Sequence, residues 1–123
     1  MSEMTRVALD AMGGDNAPGE MIKGAVEAVQ KRKDIKVLLT GREEVLRQGL
    51  SAYTYPREQI EIVNASEVIE TAEPPVAAIR SKKDSSIVVA LKLVKRGEAD
   101  AFVSAGNSGA VLAGGQILVG KIK

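Results

Sequence analysis

Two glycine-rich stretches carry the residues best suited to chemistry. The first, LDAMGGDNAPGE, spans residues 9–20, and the second, VSAGNSGAVLAGG, spans residues 103–115. In each, an apolar run breaks into glycines and polar side chains, and a pattern of helical spacing follows. Because glycine leaves backbone N–H groups uncovered and a helix N-terminus favours negative charge, turns of this type suit an anion.

The second stretch is the better candidate for holding an anion or an oxyanion. No acidic side chain lies between residues 103 and 121 to repel an anion. Hydroxyl, amide and backbone N–H groups are the donors that oxyanion sites use. The alternative is a small-residue surface for helix packing at 110–115. The candidate residues of this second glycine turn are Ser104, Gly106, Asn107, Ser108 and Gly109.

The first stretch combines features that favour anion binding with features that oppose it. Its two glycines allow close backbone approach, but the nearby carboxylates repel phosphate unless they point away or bind a cation or a substrate hydroxyl. The alternative is a tight strand-to-helix turn with a good N-terminal cap. Neither stretch matches the dinucleotide or P-loop glycine patterns. The candidate residues of this first glycine turn are Asp10, Gly13, Gly14, Asp15 and Asn16.

Composition excludes several classes of function. The chain has 123 residues, 45% of them hydrophobic, and a net charge of +1, so the overall charge indicates no nucleic acid partner. It has no cysteine and no histidine, which excludes disulfides, thiolate metal sites and a Ser-His-Asp triad here. Only Tyr53, Tyr55 and Phe102 are aromatic, too few for stacking on single-stranded nucleic acid.

The N-terminus has no signal-peptide pattern, and no apolar run approaches the ~20 residues of a membrane span. We therefore expect a cytoplasmic protein.

Hydrophobic periodicity predicts an alternation of strands and helices. Helical stripes place Ile22, Ala25, Val26 and Val29 inward in the first helix, and Val45, Leu46 and Leu50 inward in the second. Gly97 is the expected stop of the third helix. The predicted strands are 6–11, 35–41, 59–65 and 100–105, and the predicted helices are 19–33, 42–50, one ending at Gly97 and 109–119.

This order predicts an α/β fold with three layers around a doubly wound, mostly parallel sheet. Both glycine turns follow a strand and precede a helix. They are therefore expected at the carboxyl edge of the sheet, where ligands of such folds bind.

The segment 66–86 combines acidic and basic clusters around Pro74 and Pro75. One interpretation is a solvated loop with charged faces, and the other is a substrate-docking or lid segment. Its acidic residues are Glu67, Glu70 and Glu73, and its basic residues are Arg80, Lys82 and Lys83.

The two glycine turns, in this order and about ninety residues apart, closely resemble the start of the bacterial phosphate acyltransferases of phospholipid synthesis, the PlsX family. The stretches VLLTG and ETAEPPVAAIRSKKDSSIVVALKLVKRGEADAFVSAGNSGA extend the resemblance over essentially the whole chain. Family enzymes are longer, so residues 1–123 look like the N-terminal α/β portion of a longer enzyme. Such a portion alone is expected to be inactive.

The resemblance implies transfer of a long-chain acyl group from acyl carrier protein to inorganic phosphate. It also implies a homodimer with a fold similar to that of phosphotransacetylases and isocitrate dehydrogenase-like enzymes. The resemblance further implies that no metal and no organic cofactor is needed, and that membrane contact is at most peripheral. A downstream glycerol-3-phosphate acyltransferase is expected to consume the acyl phosphate. The candidate residues of both turns map onto the family site, with Asn107 and Ser108 as the catalytic candidates; many family members have Thr at the latter position. Two alternatives are a phosphotransacetylase-type enzyme using acyl-CoA and a non-catalytic module that binds phosphate or nucleotide.

Overall fold

The computed structural model describes residues 4–12, 18–68, 77 and 80–103. In this part of the chain, four strands and three helices alternate much as the sequence predicts. The predicted helix at 109–119 lies outside the described residues. The elements in chain order are β1 (Thr5–Asp10), α1 (Gly19–Lys31), β2 (Ile35–Gly41), α2 (Glu43–Leu50), a 3-10 turn (Arg57–Gln59), β3 (Ile60–Asn64), α3 (Ser86–Lys95) and β4 (Ala101–Val103).

The four strands form one sheet in the order β3-β2-β1-β4, and every pairing is parallel. The two central strands, β1 and β2, are apolar and end in buried residues, which is typical of parallel sheets covered on both faces. The prediction of a parallel α/β sheet is therefore confirmed. In the register, Leu9 of β1 lies opposite Leu39 of β2 on one side and Val103 of β4 on the other.

Helices α1 and α2 cover one face of the sheet. Because successive strand residues point to opposite faces, Leu9 and Leu39 share this face and pack with the helical stripe. The stripe predicted in the first helix, Ile22, Ala25, Val26 and Val29, is buried as expected. Each fully buried aliphatic side chain of this kind stabilises the fold by about 1.5–3 kcal/mol.

Helix α3 covers the opposite face. Ala8 and Leu38, which alternate with the residues of the first core, pack here against Ala90 and Leu93. Since helices lie on both faces, the described residues form three layers. The predicted inward position of Val45 in α2 is wrong, because this side chain is 38% exposed whereas Leu46 is fully buried.

Helix α3 is well defined at both ends. At its start, Ser85 caps the helix by accepting a hydrogen bond from the backbone N–H of Val88 at 3.2 Å. At its end, Gly97 has a φ of 76°, and its N–H donates to the carbonyl of Val94. The N–H of Glu98 donates to the carbonyl of Leu93, which completes a Schellman motif. The prediction that Gly97 ends this helix is confirmed.

Candidate active site

The order in which successive strands are added to the sheet reverses beside β1. The chain passes from β1 to β2 and β3 on one side, then crosses back to add β4 on the other side of β1. The carboxyl ends of β1 and β4 are consequently neighbours, since Leu9 pairs with Val103. In open α/β sheets, the crevice outside the strand ends at such a reversal is the usual ligand site.

Asp10, the last residue of β1, is the one predicted site residue among those described. It is fully buried, and its Oδ1 accepts a hydrogen bond from the backbone N–H of Met12 at 3.1 Å. This local bond is an Asx turn, which bends the chain as it leaves the strand. The next N–H, that of Ala11, donates to the carbonyl of Thr40 at 2.9 Å. Asp10 therefore shapes the entry to the first glycine turn.

The other candidate residues lie outside the described residues. In the first glycine turn these are Gly13, Gly14, Asp15 and Asn16. In the second glycine turn they are Ser104, Gly106, Asn107, Ser108 and Gly109. Their roles therefore stay predictions.

Thr40 is a polar residue of this edge that the sequence reasoning missed. It pairs with Asp10 in the sheet register and is fully buried on the face covered by α3. Its Oγ1 lies 2.8 Å from the carbonyl oxygen of Ser86 and 3.3 Å from that of Leu9. The hydroxyl thus ties the carboxyl ends of β1 and β2 to the first turn of α3.

Ser86, the first residue of α3, has a buried hydroxyl with no hydrogen-bond partner among the residues that the structure describes. Its backbone N–H donates to the carbonyl of Glu67 at 3.0 Å, and its own carbonyl accepts from Thr40. An unpaired buried hydroxyl costs stability, so it is a rare feature of native structures. The sequence gives little indication of this buried hydroxyl. Two serines before a helix predict one N-cap residue, and Ser85 is that residue.

Gly41 allows close packing at the end of β2. A Cβ atom at this position would lie 2.7 Å from Cγ of Met12 and 3.1 Å from Cδ1 of Leu46. Real Cβ atoms do not make contacts as short as 2.7 Å, so a larger residue would displace Met12. Met12 directly precedes the first glycine turn in the sequence. The glycine that ends VLLTG therefore has a packing role beside the candidate site.

The basic cluster of the 66–86 segment is divided by the structure. Lys82 is half-buried, and its Nζ donates to the carbonyl of Val68 at 2.8 Å. Arg80 and Lys83 are exposed. Glu70 and Glu73 lie outside the described residues. Lys82 therefore has a structural contact, and only its two neighbours offer exposed charge.

The carboxylate of Asp84 connects the two ends of the 66–86 segment. Its Oδ2 accepts from the hydroxyl of Ser66 at 2.5 Å and from the backbone N–H of Ser66 at 2.9 Å. These bonds favour the ionised carboxylate and hold the pKa of Asp84 below its usual value. Glu67 and Ser85 form a parallel bridge next to this contact. The segment is thereby joined to the start of α3.

Within the ranges that the structure describes, no helix combines the length and apolarity that crossing a membrane requires.

Comparison with known proteins decides the family. The profile of the family described as "Fatty acid synthesis protein" matches residues 5–123. The chain belongs to this family. The family includes the PlsX-type phosphate acyltransferases, so the resemblance carried by the two glycine turns is confirmed.

Similar curated members of the family carry the name phosphate acyltransferase. The protein of that name from Alkaliphilus oremlandii is 53% identical over 118 residues, which is 96% of this chain and 35% of that protein. The one from Clostridioides difficile is 52% identical over 118 residues, 96% of this chain and 34% of that protein. The chain therefore spans about a third of the length of these relatives.

Proposed function

We propose that this chain is part of a phosphate acyltransferase that transfers a long-chain acyl group from acyl carrier protein to inorganic phosphate. The product, acyl phosphate, then serves a glycerol-3-phosphate acyltransferase. We further propose a homodimer in the cytoplasm, in peripheral contact with the membrane at most. The relatives are named for acyl transfer involving phosphate, and the proposal extends that activity to the enzyme of which this chain forms a part.

The adjacent carboxyl ends of β1 and β4 are the observation that carries the proposal. In the sequence, Gly13 of the first glycine turn follows three residues after Asp10, and Ser104 of the second follows immediately after Val103. Leu9 of β1 pairs with Val103 of β4, so the chain leaves both strands at the same edge of the sheet. This arrangement supports our proposal that one crevice serves both turns and holds phosphate beside an acyl carbonyl.

The chemistry needs no histidine because phosphate is already an anionic nucleophile. A phosphate oxygen forms a bond to the thioester carbonyl carbon, and the carbonyl electron pair moves onto its oxygen. When the tetrahedral centre collapses, the carbon–sulfur bond breaks and the carrier leaves as a thiolate that takes up a proton. We assign to Asn107, Ser108 and the glycine N–H groups of the second turn the stabilisation of the negative charge on phosphate and on that oxygen.

The proposed docking side for the carrier is the exposed pair Arg80 and Lys83. Acyl carrier proteins are acidic, and opposite charges at the rim of an interface raise the association rate. Lys82 is left out of this role because its ammonium group already binds the carbonyl of Val68.

A chimera tests the proposal. This chain replaces the matching region of the Clostridioides difficile phosphate acyltransferase, and the parent enzyme serves as the positive control. The readout is free carrier protein released from palmitoyl-acyl carrier protein with and without inorganic phosphate. We expect phosphate-dependent release, and Asn107→Ala should lower its rate by about 100-fold or more.

The matched control is Gln48→Ala, which removes an exposed amide from α2 and should leave the rate unchanged. A chimera that folds as the parent does but releases carrier at the same rate with and without phosphate would refute the acyltransferase assignment. Phosphate binding without turnover would instead support a non-catalytic module.

A further inference from the structure

A cavity of about 560 Å³ lies between the end of α2 and the start of β3. Small-molecule sites commonly have volumes of about 300–1,000 Å³. The cavity is at the amino-terminal end of β3, whereas the candidate active site is at the carboxyl ends of β1 and β4. Its described lining residues are Arg47, Leu50, Ser51, Tyr53, Thr54, Tyr55, Arg57 and Ile62.

The loop that forms one wall is held in place by hydrogen bonds. The N–H of Tyr53 donates to the carbonyl of Leu50 at 3.0 Å, and Nε2 of Gln30 donates to the carbonyl of Thr54 at 2.7 Å. Beyond the loop, buried Gln59 donates through Nε2 to the carbonyls of Arg32 and Ile35 at 2.8 and 2.9 Å. The cavity is therefore preformed, which reduces the entropy lost when a ligand binds.

The charge of the cavity is positive. Its described lining contains two arginines and no acidic residue. Within the described part of the chain, the Arg57 side chain has no ion pair or hydrogen bond. Arg47 pairs with Glu43 at 3.3 Å on the exposed surface of α2. An exposed pair of this kind contributes only about 0.3–0.5 kcal/mol, so an anionic ligand can replace it.

The remaining residues that line the cavity suit a planar aromatic group of a ligand. Both tyrosines of the chain line the cavity, and Leu50 and Ile62 supply an apolar floor. Arginine binds phosphate through two parallel N–H bonds, and tyrosine rings stack on planar bases. We propose that this cavity binds a nucleoside phosphate, with the phosphate on Arg57 and Arg47 and the base against the tyrosine rings. This site is independent of the proposed acyl transfer.

The aromatic composition allows a selective test on the 123-residue chain. It has two tyrosines, and Phe102 is its only other aromatic residue, so the tyrosine ring signals in a proton NMR spectrum come from Tyr53 and Tyr55 and have few neighbours. The chain is titrated separately with AMP, adenosine and inorganic phosphate. We expect AMP to shift the tyrosine signals and to bind at least about tenfold more tightly than either half alone.

Charge variants separate the site from general attraction. Arg57→Gln and, independently, Arg47→Gln should each weaken AMP binding by about tenfold or more. Arg42→Gln removes the same charge from an exposed arginine at the other end of α2 and should leave binding unchanged. Unshifted tyrosine signals at saturating AMP, or equal weakening by all three substitutions, would overturn the proposal. Equal affinity for phosphate and AMP would also overturn it, because the rings would then contribute nothing.

Discussion

The hydroxyl of Thr40 lies 2.8 Å from the carbonyl oxygen of Ser86 and donates a hydrogen bond to it. The two residues are 46 positions apart in the sequence, and both are buried. This bond links the carboxyl end of a central strand to the first turn of α3, on the side of the sheet that Asp10 shares. This polar contact joins the edge of the sheet that carries the candidate site to helix α3.

Replacing Thr40 with valine should destabilise the protein by about 1–3 kcal/mol. Valine keeps the shape but removes the donor, so the buried carbonyl oxygen of Ser86 loses this hydrogen bond. Urea unfolding followed by circular dichroism measures the change. Thr54→Val, at an exposed loop position, should change stability by less than about 0.5 kcal/mol. Equal midpoints for the two variants would show that the Thr40 bond is unimportant.

Two adjacent serines should respond to alanine with opposite signs. Ser85→Ala removes the cap on the N–H of Val88 and should cost about 1 kcal/mol. Ser86→Ala removes a buried hydroxyl that has no partner in the described part of the chain, and it should stabilise the protein by about 1 kcal/mol. Thermal unfolding of both variants beside the parent is the measurement. Destabilisation by Ser86→Ala would mean that its hydroxyl forms a bond in solution.

Two glycines should also respond with opposite signs. Gly24 lies within α1, and a Cβ added there meets no atom within 4 Å, so Gly24→Ala should stabilise the protein by about 0.5–1 kcal/mol. Gly97 has a φ of 76°, and Gly97→Ala should cost about 1–2 kcal/mol. The urea midpoints of both variants, compared with that of the parent, measure these changes. A higher midpoint for Gly97→Ala would contradict the Schellman motif.

The pKa of Asp84 is lowered by its hydrogen bonds from Ser66, so this contact should weaken in acid. A carboxyl group whose folded pKa lies below its unfolded value, about 3.9 for Asp, stabilises the protein above that value. The stabilisation is lost as the pH falls through the folded pKa. Asp84→Asn should therefore be less stable than the parent at pH 7, with a difference that shrinks below about pH 4.

Urea midpoints measured between pH 7 and pH 2.5 test this dependence. Glu27→Gln removes an exposed carboxylate from α1 and serves as the control. A difference between Asp84→Asn and the parent that stays constant to the lowest pH would contradict the assigned cause.

Much of the secondary structure could be predicted from the sequence because its determinants are local. Periodic apolar residues identified α1 and its buried face, and a glycine that tolerates positive φ identified the end of α3. Val45 shows the limit of this reasoning. It lies next to Leu46 in the sequence, but the way α2 rests on the sheet turns it to solvent.

The amino-acid order alone was enough to establish the strand–helix alternation, the family and the two glycine turns as candidate sites. Which strands are neighbours was decided only by the tertiary structure, because pairing depends on long-range packing and not on local propensity. It placed β4 beside β1, brought Thr40 to Ser86, and gathered Arg47, Arg57 and both tyrosines around one cavity. The pairing of β4 with β1 and the bond from Thr40 to Ser86 join residues far apart in the chain, and no short motif encodes them.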